Sequence, residues 1–99
     1  MKKGDPLNRK KNRFILFVSG MSVRSMNAIE NFRVISERYM AGDFELEIID
    51  VTKQKHQATA YQVVALPTLI KIEPAPQRII IGDLSDTKKV LKILNINAD

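Results

Sequence analysis

The chain of 99 residues contains no cysteine and no tryptophan, and it has a single histidine. Without a thiol it cannot carry out thiol–disulfide exchange, form a disulfide bridge or build a thiolate metal site. No apolar run approaches the roughly 18–20 residues that span a bilayer, and the Met-Lys-Lys start is not followed by the apolar stretch of a secretion signal. We therefore expect a cytoplasmic domain that has no membrane partner.

The surplus of positive charge is confined to the N-terminus. Residues 1–13 hold six lysines and arginines against one aspartate, whereas residues 14–99 hold ten basic and ten acidic residues, so the formal net charge of +5 belongs to the first segment. We predict a basic flexible tail over residues 1–13 and a single domain over residues 14–96. A basic arm attracts phosphate backbones without sequence preference. The neutral body lacks an aromatic stacking platform, so nucleic acid is not the expected partner.

Hydrophobic periodicity predicts the first half of the fold. Residues 14–18 form a continuous apolar run, which is typical of a strand buried on both faces. Ser22 is placed to cap the helix that follows, and Gly42 is placed to end it in a left-handed turn. The apolar stripe of this helix comprises Met26, Ile29, Phe32, Ile35 and Tyr39. In residues 44–48 apolar side chains alternate with glutamates, and Ile49-Asp50-Val51 follow. This pattern predicts a strand that starts half exposed.

The second half predicts a short helix, two strands and a last helix. A less regular segment runs from Thr52 or Lys53 to Val64, and strands follow at residues 69–72 and 79–81. Ser85 is placed to cap the last helix, with Asp86 near its positive end. Its buried stripe comprises Val90, Leu91, Ile93 and Leu94. The fold class is α/β in the order β-α-β-α-β-β-α, with a mostly parallel sheet and helices on both faces.

The segment around Pro67 favours one such fold. Residues 63–70 are an apolar run, a proline, a threonine and a second apolar run, as at the entry into the third strand of a thioredoxin-like domain. The proline peptide there is usually cis, which costs an X-Pro bond only about 0.5–1 kcal/mol, and it faces the loop after the first strand. In this chain that loop, residues 20–25, has no cysteine. The sequence predicts a thioredoxin-like scaffold without its redox chemistry.

No set of residues resembles an active site, so we expect neither an enzyme nor a bound metal or cofactor. His56 lies in a polar run with no second histidine. Ser19, Ser22 and Ser25 lie near the loop that would hold the thiols, but a serine without an adjacent base is a weak nucleophile. Asp83 precedes a helix, which favours a turn or capping role.

The remaining candidate site is a surface for docking another protein. Its residues lie on or near the second helix and on the two strands that follow: Lys53, Gln57, Tyr61, Gln62, Lys71 and Arg78. Ordinary solvated polarity is the alternative interpretation. A thiol-free thioredoxin-like domain usually serves as an adaptor, which is an argument from fold alone.

Four segments resemble the KaiB family. They are Val18-Ser19-Gly20 with Ser25, Ile49-Asp50-Val51, Pro67-Thr68-Leu69, and residues 78–85, which read Arg-Ile-Ile-Ile-Gly-Asp-Leu-Ser. The resemblance runs without gaps from about residue 14 to residue 96. It implies a non-catalytic regulator that binds a KaiC-type ATPase and modulates its cycle in a clock or clock-like timing system. The alternative is a KaiB-like adaptor in bacterial stress adaptation without a full clock. A related domain begins the histidine kinase SasA, but the length of this chain favours a stand-alone protein.

The resemblance also implies a change of fold. Family members are thioredoxin-like when bound to KaiC, and many rest as a tetramer whose C-terminal half is rearranged. The rearranged resting fold is therefore the alternative fold class for this chain. Whether the chain forms a dimer or a tetramer remains open. The fold-determining residues on this resemblance are Pro67, Gly82, Asp83, Ile93 and Asn95. Cyanobacterial members carry Gly and Asp where this chain has Ile93 and Asn95. Because Gly costs about 0.5–1 kcal/mol in a helix interior, we predict that this chain favours the thioredoxin-like fold even alone.

Two departures from the family pattern argue against KaiA as a partner. Glu47 stands where the KaiA-binding strand of the family has a lysine, and Asn27 stands where the first helix has a basic residue. A reversed charge at a complementary contact repels the original partner.

Overall fold

Strands and helices alternate along residues 12–97, which are the residues that the computed structural model describes. The elements are β1 (Asn12–Val18), α1 (Val23–Tyr39), β2 (Phe44–Asp50), α2 (Lys55–Ala60), β3 (Thr68–Glu73), β4 (Arg78–Ile81) and α3 (Thr87–Leu94). The order agrees with the prediction. Residues 1–11 of the predicted basic tail lie outside the described residues, and its last two residues belong to β1.

The strands form one mixed sheet in the order β2-β1-β3-β4. Only β1 and β2 are parallel; β3 is antiparallel to both β1 and β4. The prediction of a mostly parallel sheet was therefore wrong, although the thioredoxin-like arrangement was right. The cause is the length of the helix in each connection. The 17 residues of α1 rise about 25 Å, enough to return the chain along a strand. The six residues of α2 rise only about 9 Å, so β3 starts where β2 ends and runs the opposite way.

Two hydrophobic cores lie on the two faces of the sheet. On one face Phe14, Leu16 and Val18 pack against residues of α1 and α3, and the Phe14 and Phe32 rings meet edge to face at 5.1 Å. On the other face Ile15 and Phe17 pack with β2, β3 and the segment after α2. The prediction that β1 is buried on both faces is confirmed, since its residues 14–18 are all buried.

The N-cap of helix α1 is the predicted one, and four of the five residues of its predicted stripe, Ile29, Phe32, Ile35 and Tyr39, pack in the core. Ser22 accepts a hydrogen bond from the Ser25 backbone N–H at 3.2 Å. The C-cap is Met40, and the left-handed turn begins at Ala41 (φ +51°), one residue before the predicted Gly42 (φ +79°). Met26 is 49% exposed, whereas Ser25, Ala28 and Ser36 are buried beside Phe32 and Ile35. The buried line therefore runs through small residues. A serine can be buried in a helix when its hydroxyl is satisfied locally, so an apolar pattern alone misses it.

Helix α3 begins one residue later than the sequence predicts. Asp86, not Ser85, is the N-cap, and its carboxylate accepts a hydrogen bond from the Lys89 backbone N–H at 3.1 Å. The Ser85 backbone N–H instead donates to Asp83 Oδ1 at 3.1 Å, so Ser85 belongs to the preceding turn. A carboxylate suits the cap because it also faces the positive end of the helix dipole. Asn95 ends the helix in the left-handed conformation, at φ +60°.

Candidate functional site

The loop after β1, where a redox thioredoxin keeps its thiols, is held together by serine hydroxyls. The buried Ser25 hydroxyl accepts hydrogen bonds from the Ser19 backbone N–H at 3.0 Å and from the Ser22 hydroxyl at 2.8 Å. Each of these serines thus has a local structural partner. Within residues 12–97 no imidazole or carboxylate bonds to them, so this loop lacks the adjacent base that would activate a serine.

Asp50 ties this loop to the end of β2. Its Oδ1 accepts hydrogen bonds from the Gly20 backbone N–H at 3.0 Å and from the Thr52 backbone N–H and hydroxyl at 2.9 and 2.7 Å. The hydrogen bonds from Thr52 hold the pKa of the Asp50 carboxyl below its ordinary value. The carboxylate is therefore an acceptor that orders two turns. It is not a proton donor poised near neutral pH. In the part of the chain described, no group of three or more histidines and carboxylates could hold a metal ion.

A shallow apolar groove lies on the opposite sheet face from α1 and α3, between the end of α2 and the edge strand β4. Its volume is about 170 Å³. The lining residues are Tyr61, Gln62, Val63, Val64, Thr68, Ile70, Ile79 and Ile81. Val64 is 84% exposed, and Ile79 and Ile81 are 55% and 54% exposed. Large apolar side chains clustered on an open surface mark an interaction site more often than isolated ones do.

Three neighbouring features support a docking role for this groove. The Tyr61 ring packs on Phe17 with ring centroids 5.6 Å apart, which anchors the groove to the core. Strand β4 pairs only with β3 within the described sheet, so its outer edge has unpaired backbone groups. The flanking segment is cationic, because residues 51–62 contain Lys53 and Lys55 but no aspartate or glutamate. We call the groove and residues 53–62 beside it the α2 face.

The structure separates the six predicted docking residues into two groups. Tyr61 and Gln62 line the groove, and Lys53 and Gln57 lie in and just before α2, close to them along the chain. Lys71 and Arg78 instead pair across β3 and β4 on the other sheet face, the one with α3. Lys71 is also buried, at 8% exposure, so it is not the surface lysine that the sequence suggested.

Sequence reasoning missed the apolar part of the α2 face. The pattern places Val64 at the end of an irregular segment and residues 79–81 in a strand, and it assigns neither a surface role. A signal was present in the triplet at residues 79–81, because successive strand side chains point to opposite faces. Ile80 is buried at 4% exposure, and its two neighbours must therefore face away from that core. The sequence does not show that the sheet face carrying Ile79 and Ile81 is left largely uncovered by the short helix α2.

The turn after β4 connects several of the predicted fold-determining residues. The Leu66–Pro67 peptide is cis, and the Pro67 carbonyl accepts a hydrogen bond from the Gly82 backbone N–H at 2.9 Å. Gly82 has φ +118°, a value that favours glycine. The hydroxyl and backbone N–H of Ser85 hold the pKa of the Asp83 carboxyl below its ordinary value. The Asp83 carbonyl accepts a hydrogen bond from Asn31 Nδ2 at 2.8 Å, which joins this turn to α1.

Ile93 and Asn95 lie at the other end of α3. Ile93 is half-buried and packs against the core shared by α1, α3 and the sheet. Asn95 is the C-cap, so it lies just outside the helix interior. No helix in residues 12–97 is long and apolar enough to cross a membrane.

A protein-family model for the KaiB domain matches residues 15–96. A circadian clock oscillator protein KaiB from Prochlorococcus marinus strain MIT 9312 is 45% identical over 84 residues, which cover 85% of this chain and 80% of the relative. A circadian clock protein KaiB3 from a Synechocystis species is 42% identical over 87 residues, 86% of this chain and 85% of the relative.

Two solved structures show the fold. The N-terminal domain of SasA from Synechococcus elongatus superposes with a TM-score of 0.75 at 22% identity and covers 96% of this chain and 93% of its own. Mitochondrial thioredoxin 3 from Saccharomyces cerevisiae superposes with a TM-score of 0.69 at 17% identity, and the match covers 88% of this chain and 80% of the thioredoxin chain. These likenesses confirm a thioredoxin-like fold.

Proposed function

This chain belongs to the KaiB family, and from that premise we propose that it is a non-catalytic regulator that binds a KaiC-type ATPase through its α2 face and modulates the ATPase cycle. The family match covers residues 15–96, and the curated relatives are circadian clock proteins. The family and its relatives support a clock-related regulatory role. The KaiC-type partner and the binding face are what we propose beyond it.

The observation that carries the proposal is the exposed apolar cluster beside a cationic segment. Val64, Ile79 and Ile81 are each more than half exposed, and Lys53 and Lys55 flank the same face. Interfaces commonly combine a desolvated apolar centre with a charged rim that fixes orientation. The complementary surface on the ATPase would accordingly be an apolar patch bordered by aspartates and glutamates.

The KaiA interaction is a separate matter. Glu47 lies exposed on the edge strand β2, next to the exposed Ile48, and it would face any partner that added to that edge. Its negative charge argues against a partner selected for a lysine at this position. We therefore do not include KaiA in the proposed function.

The test is a binding measurement between this protein and a KaiC-type ATPase from the same organism, in ATP and in ADP. We expect saturable binding, a changed ATPase rate, and at least a tenfold loss of affinity in Val64→Glu. Val64 is 84% exposed, so its substitution should leave the fold intact.

Val34→Glu is the matched control, because Val34 is an exposed valine on α1 at 43% exposure and receives the same added charge. It should bind like the wild type. Absence of binding across nucleotide states and temperatures would refute the proposed partner. Equal loss in both variants would refute the proposed face.

A further inference from the structure

A second concave site lies between the end of α3, the start of β1 and the β3–β4 turn. Its volume is about 340 Å³, and its lining includes Lys71, Arg78, Asn95 and Ile96 with the prolines of the turn. It lies on the sheet face opposite the α2 face. This cavity is therefore spatially separate from the proposed docking site.

Lys71 is the unusual residue of this cavity. Its exposure is 8%, so it is more than nine-tenths buried, and its neighbours across the sheet are Phe14 on one side and Arg78 on the other. A lysine in so buried a position costs free energy unless its ammonium group has a polar partner. Like charges directly opposite each other on antiparallel strands are also destabilising. The arrangement therefore places two positive charges where the fold alone would disfavour them.

No acidic side chain among residues 12–97 neutralises this pair. Neither Lys71 nor Arg78 forms an ion pair or a side-chain hydrogen bond with another described residue. Glu73 is the nearest carboxylate along β3, and one of its oxygens lies 3.6 Å from an Arg13 guanidinium nitrogen. Among the described residues, the two cations consequently border an open cavity without a carboxylate partner.

We propose that this cavity binds a small phosphate-bearing ligand, with the Lys71 ammonium and the Arg78 guanidinium as its anion-binding groups. A phosphate group carries about −1.5 to −2 charges at pH 7 and three acceptor oxygens, which matches two cations. A monocarboxylate would leave one positive charge unneutralised. Arginine provides a planar donor fork, and lysine provides a compact point charge. The adjacent Asn95 side chain, exposed at the rim, adds two N–H donors.

The test is a titration of the intact protein with sodium phosphate and with ATP, followed by amide chemical shifts in NMR and by thermal unfolding. Sodium chloride at matched ionic strength corrects for screening, and sodium acetate tests a carboxylate. We expect saturable shifts centred on residues 71, 78, 95 and 96 for at least one phosphate probe. We also expect affinity for acetate to be at least tenfold weaker.

Two variants and a control decide whether the named cations are responsible. Lys71→Met keeps an unbranched side chain that fits a buried position, and Arg78→Gln changes an exposed residue. Each should weaken phosphate binding at least tenfold, whereas Lys53→Met on the other sheet face should leave it unchanged. Three results would overturn the inference: no saturable shift beyond that of chloride, equal affinity for acetate, or wild-type affinity in both variants.

Discussion

Replacing Ile93 by glycine should destabilise the thioredoxin-like fold more than replacing it by alanine. Glycine costs about 1 kcal/mol relative to alanine in a helix interior. Full burial of an isoleucine side chain contributes about 1.5–3 kcal/mol. Because Ile93 is half-buried against the main core, its loss should cost roughly 1 kcal/mol. We expect about 2 kcal/mol for Ile93→Gly and about 1 kcal/mol for Ile93→Ala.

Adding Asn95→Asp should increase the effect. Asn95 lies at the C-cap with φ +60°, and a negative charge at a helix C-terminus opposes the dipole by roughly 0.3–1 kcal/mol. The double variant should therefore lose about 2–3 kcal/mol. For a domain of this size, 1 kcal/mol shifts Tm by about 4–8 °C, which predicts a decrease of roughly 10–20 °C.

The assay is thermal unfolding followed by circular dichroism, with size-exclusion chromatography, light scattering and NMR to detect another fold. Because Ile93 and Asn95 stand where cyanobacterial members have Gly and Asp, we expect the isolated wild-type chain to be thioredoxin-like and the double variant to shift toward the tetrameric resting fold. Ile93→Ala is the control, since it removes the same buried side chain but keeps helix propensity. A wild-type chain that already rests as a rearranged tetramer would refute the reasoning, as would equal Tm values for the glycine and alanine variants.

Two further predictions concern caps and turns. Asp86→Ala should lower the free energy of unfolding, measured by urea titration, by about 1 kcal/mol because it removes the N-cap acceptor. Ser85→Ala is the control and should have a much smaller effect. A larger effect of Ser85→Ala would contradict the assignment of Asp86 as the cap. Asp50→Asn should be less stable than the wild type at pH 7, because the pKa of the Asp50 carboxyl is lowered in the folded state. Such a carboxyl stabilises the fold at pH values above its unfolded-state pKa, and this contribution is lost as the pH falls through its folded-state pKa. Unfolding curves of both proteins should therefore converge at acidic pH, and a constant difference down to pH 2 would argue against the charge as the cause.

The sequence predicted element order well and strand direction poorly, for a physical reason. The buried run of β1 and the N-cap of α1 depend on local pattern, and the structure confirms them. The direction of β3 depends on how far α2 carries the chain, and the pattern before Val64 was too irregular to give the length of that helix. The connection over residues 51–67 is long enough for a crossover, but only six of its residues are helical, so it does not carry the chain back along the sheet.

The candidate sites were harder to predict because they depend on pairing between strands. Tyr61 and Gln62 were identified from their place in the chain, and they do line the groove. The face that Lys71 and Arg78 share becomes evident only once β3 and β4 are in register. Burial of Lys71 depends in addition on where the end of α3 lies.

The unequal covering of the two sheet faces has a consequence for motion. Helices α1 and α3 each contribute several buried residues, whereas α2 contributes none. Segments with few buried contacts open locally at a lower free energy than the core strands, so amide hydrogens of residues 55–64 should exchange with solvent much faster than those of β1. A partner bound at the α2 face would then slow that exchange selectively, because it would suppress the local opening of the layer it touches.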